Sequence, residues 1–273
     1  MADQALIRAL EEIEVAAWAD FYDSASPPSK SICGLQLARS KGATVGLASE
    51  ADVLALNRVI GLGLEGPISA ADVDEIIARY TEAGIPRFFI QPSPAARDDA
   101  LPRLLVDRGF RRYNNWVKLY RDVTPVADVS TDLTVRRIEA DHADAFGRNV
   151  AECFGWPKAT SGWVSDLVGR SDWRHYMAFD GPKPVASGSL YFRGEYAWID
   201  FATTLPDYRG RGAQSAILAH RIADAAELGC HTVAVETAEE TPEKPAPSYR
   251  NMVRYGFRQS YLRPNYIYVT VSD

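Results

Sequence analysis

The chain is poor in cysteine: three among 273 residues, Cys33, Cys153 and Cys230, far apart and odd in number. They form no C-x-x-C pair and suggest no disulfide framework, which predicts a protein of a reducing, cytoplasmic compartment. Histidine is scarce as well. The four present (His142, His175, His220 and His231) share no metal-ligand spacing such as H-E-x-x-H, so no metal is expected, and no Ser/His/Asp arrangement is visible. A basic surplus is missing: 30 Lys and Arg stand against 36 Asp and Glu, a net charge of −6, the reverse of what a nucleic-acid binder usually shows. Long apolar runs are absent too, and no stretch approaches the roughly 18 apolar residues of a membrane span. The first 22 residues carry Asp3, Glu11, Glu12, Glu14 and Asp20 along their length and read as an amphipathic helix, not a signal peptide. Nucleic acid and membrane are therefore not expected as partners, and the mild acidity suits a small cationic or amine substrate.

What is present is an ordinary globular composition. With 47% hydrophobic and 24% charged residues, disorder, collagen and coiled coil are disfavoured. At about 150 residues per domain the length allows roughly 1.8 domains. A composition shift at 122–131, containing Pro125 and several small or acidic residues, precedes a strand-like run at 133–138. It places a boundary between units 1–126 and 131–273.

The second unit reads as mixed α/β. A strand at 133–138 leads to helical segments around 141–153 and 157–168. Strands at 173–179, 185–192 and 196–204 follow, joined by turns at Asp180-Gly181-Pro182 and Arg193-Gly194-Glu195. After a glycine-rich loop at 209–213, a helix is expected over about 215–228, with Ile217, Leu218, Ile222, Ala225 and Ala226 at helical spacing and Gly229 as its stop. A strand at 232–236, a Pro/Glu loop, a helix at 248–255 and a strand at 266–271 complete the unit. The first unit echoes this order: a helix at 72–82 ending in Gly84, a strand at 88–91, and a helix at 100–108 ending in Gly109-Phe110. The counterparts Gly229 and Gly256-Phe257 lie 145 and 147 residues further on, which points to a divergent internal duplication. Chance similarity of two α/β segments is the plainer alternative.

The sharpest motif is Leu205-Pro-Asp-Tyr-Arg-Gly-Arg-Gly-Ala-Gln-Ser215, between a strand and a helix. Two glycines let the backbone turn tightly and approach a ligand. The free N–H groups at the start of the following helix, with its dipole, favour an anion. Arg209 and Arg211 add fixed positive charge with planar donors suited to phosphate oxygens. Amides from Gly210 through Arg211, Gly212, Ala213 and Gln214 to Ser215 would thus cradle a phosphate or pyrophosphate. A surface turn with incidental arginines is one alternative. A P-loop would need Gly-Lys-Ser/Thr, which is absent. A dinucleotide loop, with Glu236 as a ribose-binding acid, is a third. Against it, Leu205 to Arg209 separate the strand from the first glycine and Ser215 replaces the third.

This loop, the strand before it and Ser248-Tyr-Arg-Asn-Met-Val-Arg-Tyr-Gly-Phe257 resemble the GNAT superfamily of acetyl-CoA-dependent N-acetyltransferases over residues 131–273. Arg209 and Gly212 match the family's Arg/Gln-x-x-Gly-x-Gly/Ala pattern, and Gln214 departs from it. The resemblance implies an α/β (α+β) fold of two tandem units, each a mixed, mostly antiparallel sheet flanked by helices. It implies acetyl-CoA as co-substrate, no metal, and a primary amine of a small molecule or peptide as acceptor. In the first unit the loop counterpart reads Leu64-Glu-Gly-Pro-Ile68, without arginine, so no coenzyme is expected there. A monomer or a homodimer would both suit an internal duplication.

The same resemblance assigns roles. Free backbone groups of a splayed strand at Thr203, Thr204 and Leu205 would hold the pantetheine arm and the thioester oxygen, where a preorganised donor is usually the largest catalytic contribution. Asp200 stands where many relatives carry an acidic base, although strand alternation would also make it an ordinary exposed acid. Glu236, Glu239 and Glu240 are back-ups. The usual acid, a tyrosine four residues before the Gly-Phe pair, is Met252 here, which leaves Ser248 and Tyr249 as candidates. Ser248 reads equally well as a helix N-cap, and Tyr249 as packing. Tyr255 is expected on the core face. The six tryptophans look like core and interface fill, while Trp156, Trp163 and Trp173 flank the segments that form the acceptor cleft in relatives. Met252 also supports a rival reading, a non-catalytic CoA-binding sensor. A nicotinamide-cofactor enzyme is a third.

Overall fold

The computed structural model describes residues 3–96, 98–127 and 129–270. Met1 and Ala2 of the expected first helix, Asp128 of the expected boundary and Val271 of the expected last strand lie outside them. The N-terminal half runs α1 (Gln4–Asp23), α2 (Pro27–Cys33), β1 (Leu35–Ser40), β2 (Ala43–Ala48), β3 (Arg58–Leu62), α3 (Ala70–Glu82), β4 (Arg87–Pro92), α4 (Leu101–Asp107) and β5 (Arg111–Asp122). The C-terminal half runs β6 (Thr134–Ile138), α5 (Ala143–Phe154), α6 (Thr160–Ser165), β7 (Trp173–Asp180), β8 (Lys183–Arg193), β9 (Tyr196–Thr204), α7 (Ala213–Glu227), β10 (Thr232–Ala238), α8 (Pro247–Arg254) and β11 (Arg258–Val269). Apart from β6, the two halves share one order of elements, the pattern of an internal duplication.

All eleven described strands form one sheet, in the order β1-β2-β3-β4-β11-β5-β10-β9-β8-β7-β6. Most pairings are antiparallel; β3 with β4 and β9 with β10 are parallel. The centre holds an exchange. β11, the last strand of the chain, lies against β4 of the N-terminal half, and β5 lies against β10 of the C-terminal half. The two exchanged strands pair with each other along residues 258–267. The sequence reading expected the last strand only from residue 266; it begins at Arg258, directly after Phe257. Its early part, Arg258-Gln-Ser-Tyr-Leu-Arg-Pro, carries polar residues and a proline that mask the strand pattern.

Alternation along the strands divides the core between two faces. Trp198 of β9 and Ile60 of β3 meet the cluster built by α1, α5 and α6, while Ala197, Ile199 and Val59 face the opposite side. There α7 covers the C-terminal half with Ile217, Leu218 and Ile222, and α3 covers the N-terminal half with Val73, Ile76 and Tyr80. Helix α1 begins where Asp3 accepts the Ala5 N–H at 3.0 Å, an N-cap that satisfies one of the orphan donors of the first turn. It buries Leu10, Ile13, Phe21 and Trp18. It also buries Glu11 and Glu14, both 0% exposed, although acidic residues spread through an amphipathic helix ordinarily mark its solvent face.

Those two carboxylates meet three buried cations from distant strands. Arg263 of β11 approaches Glu14 at 2.7 Å and Glu11 at 3.1 Å and also pairs with Glu236 of β10. Lys118 of β5 pairs with Glu14 and lies 3.6 Å from Glu236, while Arg58 of β3 lies 3.6 Å from Glu14 and 3.4 Å from Glu236. Three negative groups therefore face three positive ones, and the neutrality of the set is what makes its burial tolerable. Burial alone would raise the Glu14 carboxyl, but Arg263, Lys118 and Arg58 together hold it well below the usual carboxylate range.

Candidate active site

The glycine-rich loop links β9 to α7 as expected. Gly210 and Gly212 have φ of 80° and 79°, a left-handed conformation that L side chains resist. Gly212 is needed for space as well, since a Cβ there would sit 2.1 Å from the Ser130 carbonyl oxygen. The adjoining Thr131 hydroxyl donates to the Arg211 carbonyl at 2.7 Å and so fixes the loop from behind. Gly212 is the N-cap of α7 and has no side chain to accept from the first turn. The first helical bond runs from the Ala216 amide to the Gly212 carbonyl at 3.0 Å, and among the described residues nothing accepts from the amides of residues 210–215. Helix α3 is different. Ser69 and Asp72 form a capping box there, with the Asp72 carboxylate accepting the Ser69 N–H at 2.8 Å. The same end is thus open in one half and filled by its own acid in the other.

The open end faces a cleft of about 630 Å³. Its walls include Thr203 and Thr204 of β9, Arg209 to Gly210 and Gly212 to Ser215 of the loop and α7, Cys153 and Phe154 of α5, and Pro247, Ser248, Asn251 and Arg254 of α8. Most of the residues expected to hold a coenzyme are therefore in one place. Two depart in part. The Arg211 side chain turns away from the cleft to Asp132 and Asp180, approaching the latter at 3.2 Å, and the residue is not in the cleft wall. Those two acids sit on the β6 side of the loop, 79 and 31 residues away in sequence, where spacing could not reveal them. Leu205 is not in the cleft wall and its N–H is already donated to the Val185 carbonyl at 2.9 Å.

β9 carries the irregularity that opens the site. Ser187 of β8 faces Thr203 and Ser189 faces Asp200, so Gly188 alone opposes Phe201 and Ala202. This is a β-bulge, with Phe201 at φ 49°. Arg221 of α7, fully buried, donates from Nη1 to the carbonyls of Ser189 at 3.3 Å and Asp200 at 3.4 Å and braces the distortion. Burial lowers its pKa to about 10. Gln214 does similar work, donating from Nε2 to the carbonyl oxygens of Ser187 (3.0 Å) and Thr203 (2.6 Å). On its other edge β9 pairs with β10 only from Tyr196 to Trp198; beyond Ala234 the two parallel strands part.

Into this gap opens a second cleft of about 310 Å³, lined by Trp18, Ala55, Arg58, Trp116, Phe154, Trp156, Trp198, Asp200 and Glu236 to Ala238. Phe154 borders both clefts. Asp200 accepts from Trp198 Nε1 at 3.1 Å and from the Phe201 N–H at 2.7 Å, and burial pushes its carboxyl up. The bulge thus answers the alternation argument against Asp200: its carboxylate lines a cleft instead of standing as a solvated acid. Glu236, a back-up in the sequence reading, shares that cleft, and burial pushes its carboxyl up as well, against the pull of Arg263. Glu239 and Glu240 are engaged elsewhere, with Asn115 at 2.7 Å and with Arg250 at 2.5 Å.

The candidates for the acid fall in different places. Ser248 lines the larger cleft and is not the cap of α8, a position held by Ala246. Tyr249 packs against the core and lies outside the cleft wall. Met252 is buried, and Tyr255 packs as expected while its hydroxyl donates to Ser215 Oγ at 2.7 Å. Of the three tryptophans singled out, Trp156 lines the smaller cleft. Trp163 is core, stacked on Phe21 at 4.0 Å, and Trp173 donates to Asp20 at 2.7 Å. Sequence reasoning missed Cys153, Asn251 and Arg254 in the larger cleft and Trp18, Arg58 and Trp116 in the smaller. Only the helical spacing of Asn251 and Arg254 with Ser248, one face of α8, could have pointed to any of them.

No described helix is long and apolar enough to cross a membrane, and no group of three or more His, Cys, Asp or Glu among the described residues is arranged to hold a metal ion. Residues 137–250 match the family model described as acetyltransferase (GNAT) family. No curated protein sequence matches the chain. Among solved structures, a GCN5-related N-acetyltransferase from Kribbella flavida is 15% identical with a TM-score of 0.61, over 90% of this chain and 97% of that one. A tandem GNAT protein from the clavulanic acid biosynthesis pathway, solved without AcCoA, is 15% identical with a TM-score of 0.60, over 97% and 95%. A GCN5-related N-acetyltransferase from Sphaerobacter thermophilus is 18% identical with a TM-score of 0.60, over 99% and 95%. At these identities the likeness is one of fold.

Proposed function

We propose that the chain, whose residues 137–250 match the acetyltransferase (GNAT) family model, transfers an acetyl group from acetyl-CoA to the primary amine of a small molecule or peptide. The observation that carries this reading is the row of unbonded amides at residues 210–215, at the mouth of a cleft that shares Phe154 with the smaller cleft at the parting of β9 and β10. A positive helix end without an acid of its own suits a diphosphate. When bound there, acetyl-CoA supplies an acetyl group activated as a thioester.

The chain's own residues do the rest. The amides of 210–215 and the Arg209 guanidinium bind the diphosphate, and Thr203 and Thr204 line the path of the pantetheine arm. The Thr203 hydroxyl is already paired with Ser187 Oγ at 2.6 Å, so backbone groups of β9 orient the arm. Asp200, with Glu236 beside the same cleft, takes the proton from the acceptor ammonium. A carboxyl raised by burial is better matched to that task near neutral pH than a solvated one. Ser248 is the hydroxyl nearest in role to a proton donor for the departing thiolate. Residues 1–126 form a unit without coenzyme in this reading, since the loop counterpart at 64–68 has no arginine and an acid, Asp72, already sits in the first turn of α3.

Isothermal titration with acetyl-CoA and a free-thiol release assay over a panel of amines test the proposal together. Binding with amine-dependent thiol release is expected. Absence of binding ends the reading, and binding without turnover on any amine favours the sensor alternative. Asp200→Asn should keep the coenzyme affinity and lose turnover.

A further inference from the structure

The smaller cleft carries a specification of the acceptor, resting on the acetyl-transfer reading. Four of its wall residues are tryptophans: Trp18 on α1, Trp116 on β5, Trp156 after α5 and Trp198 on β9. Two come from each half of the chain. Their planes are held. Trp198 donates Nε1 to Asp200 at 3.1 Å, and the Arg58 guanidinium lies 4.0 Å from the Trp18 ring centre and 4.9 Å from that of Trp116. Lys118 sits 4.4 Å from the Trp198 ring. Trp18 Nε1 is buried without a hydrogen-bond partner among the described residues. At about 310 Å³ the cleft is at the small end of ligand sites, which run from about 300 to 1,000 Å³.

Charge narrows the choice further. Glu236 already faces Arg58, Lys118 and Arg263, and Glu14 is shared by the same three cations. No carboxylate is left over for a second ammonium, and Arg58 in the wall repels one. A ligand with a single amine next to Asp200 and an uncharged, flat body among the indoles brings no second positive charge against Arg58 and no unpaired charge among the rings. Aromatic rings gain from offset or edge contacts beyond the area they bury, and rigid indoles give such contacts at little entropic cost.

We propose that the acceptor is a small arylalkylamine, one primary amine on an aromatic body, and that the N-terminal half, through Trp18 and Trp116, reads the ring. The half without a coenzyme loop is then a specificity element for the other half's reaction.

The test compares 2-phenylethylamine, butylamine and spermidine as acceptors in the thiol-release assay and as ligands by tryptophan fluorescence. The variants are Trp116→Ala and Trp116→Phe, at a partly exposed position on β5. 2-Phenylethylamine should exceed butylamine in kcat/KM and in affinity by on the order of tenfold. Trp116→Ala should remove most of that preference through KM, Trp116→Phe should keep it, and acetyl-CoA affinity should be unchanged in both. Butylamine or spermidine performing as well, or a preference that survives Trp116→Ala, overturns the inference. Absence of acetyl-CoA binding to the wild type overturns the transfer reading instead, so the two failures are told apart.

Discussion

The two arginines of the loop, one position apart from a shared glycine, should behave differently toward acetyl-CoA. Arg209 is exposed and lines the larger cleft, with no carboxylate partner among the described residues. Arg211 is bound to Asp132 and Asp180 and points away from it. Losing a hydrogen bond to a charged group costs about 1.5–3 kcal/mol, and solvent at an exposed position moves the expectation to the lower end. At about 1.4 kcal/mol per decade, Arg209→Ala should raise the Kd for acetyl-CoA roughly tenfold. Arg211→Ala removes no cleft contact and should change it by less than about twofold, the scatter of ordinary surface substitutions. Isothermal titration at 50 and 300 mM salt checks both. The Arg209 effect should shrink at the higher salt, where the Debye length is shorter. An Arg211→Ala loss equal to or larger than that of Arg209→Ala would refute the assignment, because the diphosphate would then have to sit on the β6 side of the loop.

Other expectations follow from the same geometry. Gly210→Ala and Gly212→Ala must both adopt a positive φ, at a cost of about 1–2 kcal/mol, but only Gly212→Ala must also displace the Ser130 carbonyl. Thermal melts should therefore show the larger drop for Gly212→Ala, and acetyl-CoA titration the larger loss. Arg263→Met leaves Glu11, Glu14 and Glu236 short of their fully buried partner and should cost about 3–5 kcal/mol in urea unfolding. His175 is buried between Phe146 and Trp173, with its pKa lowered to about 3 by burial and then by Arg137 and Arg174. The unfolded chain binds its proton near pH 6.5, so folding stability is intact above that value and falls as pH drops from about 6.5 toward 3. Between pH 7 and 4.5 this residue should account for about 2–3 kcal/mol, a slope that unfolding of His175→Leu at both pH values should lack.

Much of the C-terminal half was legible because its signals are local. The periodicity of Ile217, Leu218 and Ile222, the stop at Gly229 and the two glycines of the loop each depend on neighbours within one turn, and α7 and its loop appear where they predict. What was hidden depends on partners far away. Glu11 and Glu14 look like solvent-facing acids until Lys118 and Arg263 reach them from strands more than 100 residues distant. Arg211 reads as a phosphate ligand until β6 brings Asp132 beside it. The bulge that turns Asp200 into the cleft has no marker in its own strand; its cause is Gly188 on the neighbouring strand and Arg221 on a helix behind it. The tryptophans of the smaller cleft meet only because α1, β5 and β9 converge, which no single stretch of sequence records.

The central strand exchange also sets an order of events in time. During synthesis β4 emerges long before β11, the strand it pairs with. Until then the N-terminal sheet has a bare edge, and β5, the strand next in line, has its own partner β10 still unmade. The central sheet therefore cannot close before β11 has emerged, and cleavage in the segment around residues 123–133 would leave the fragments interlocked rather than release two separate bodies.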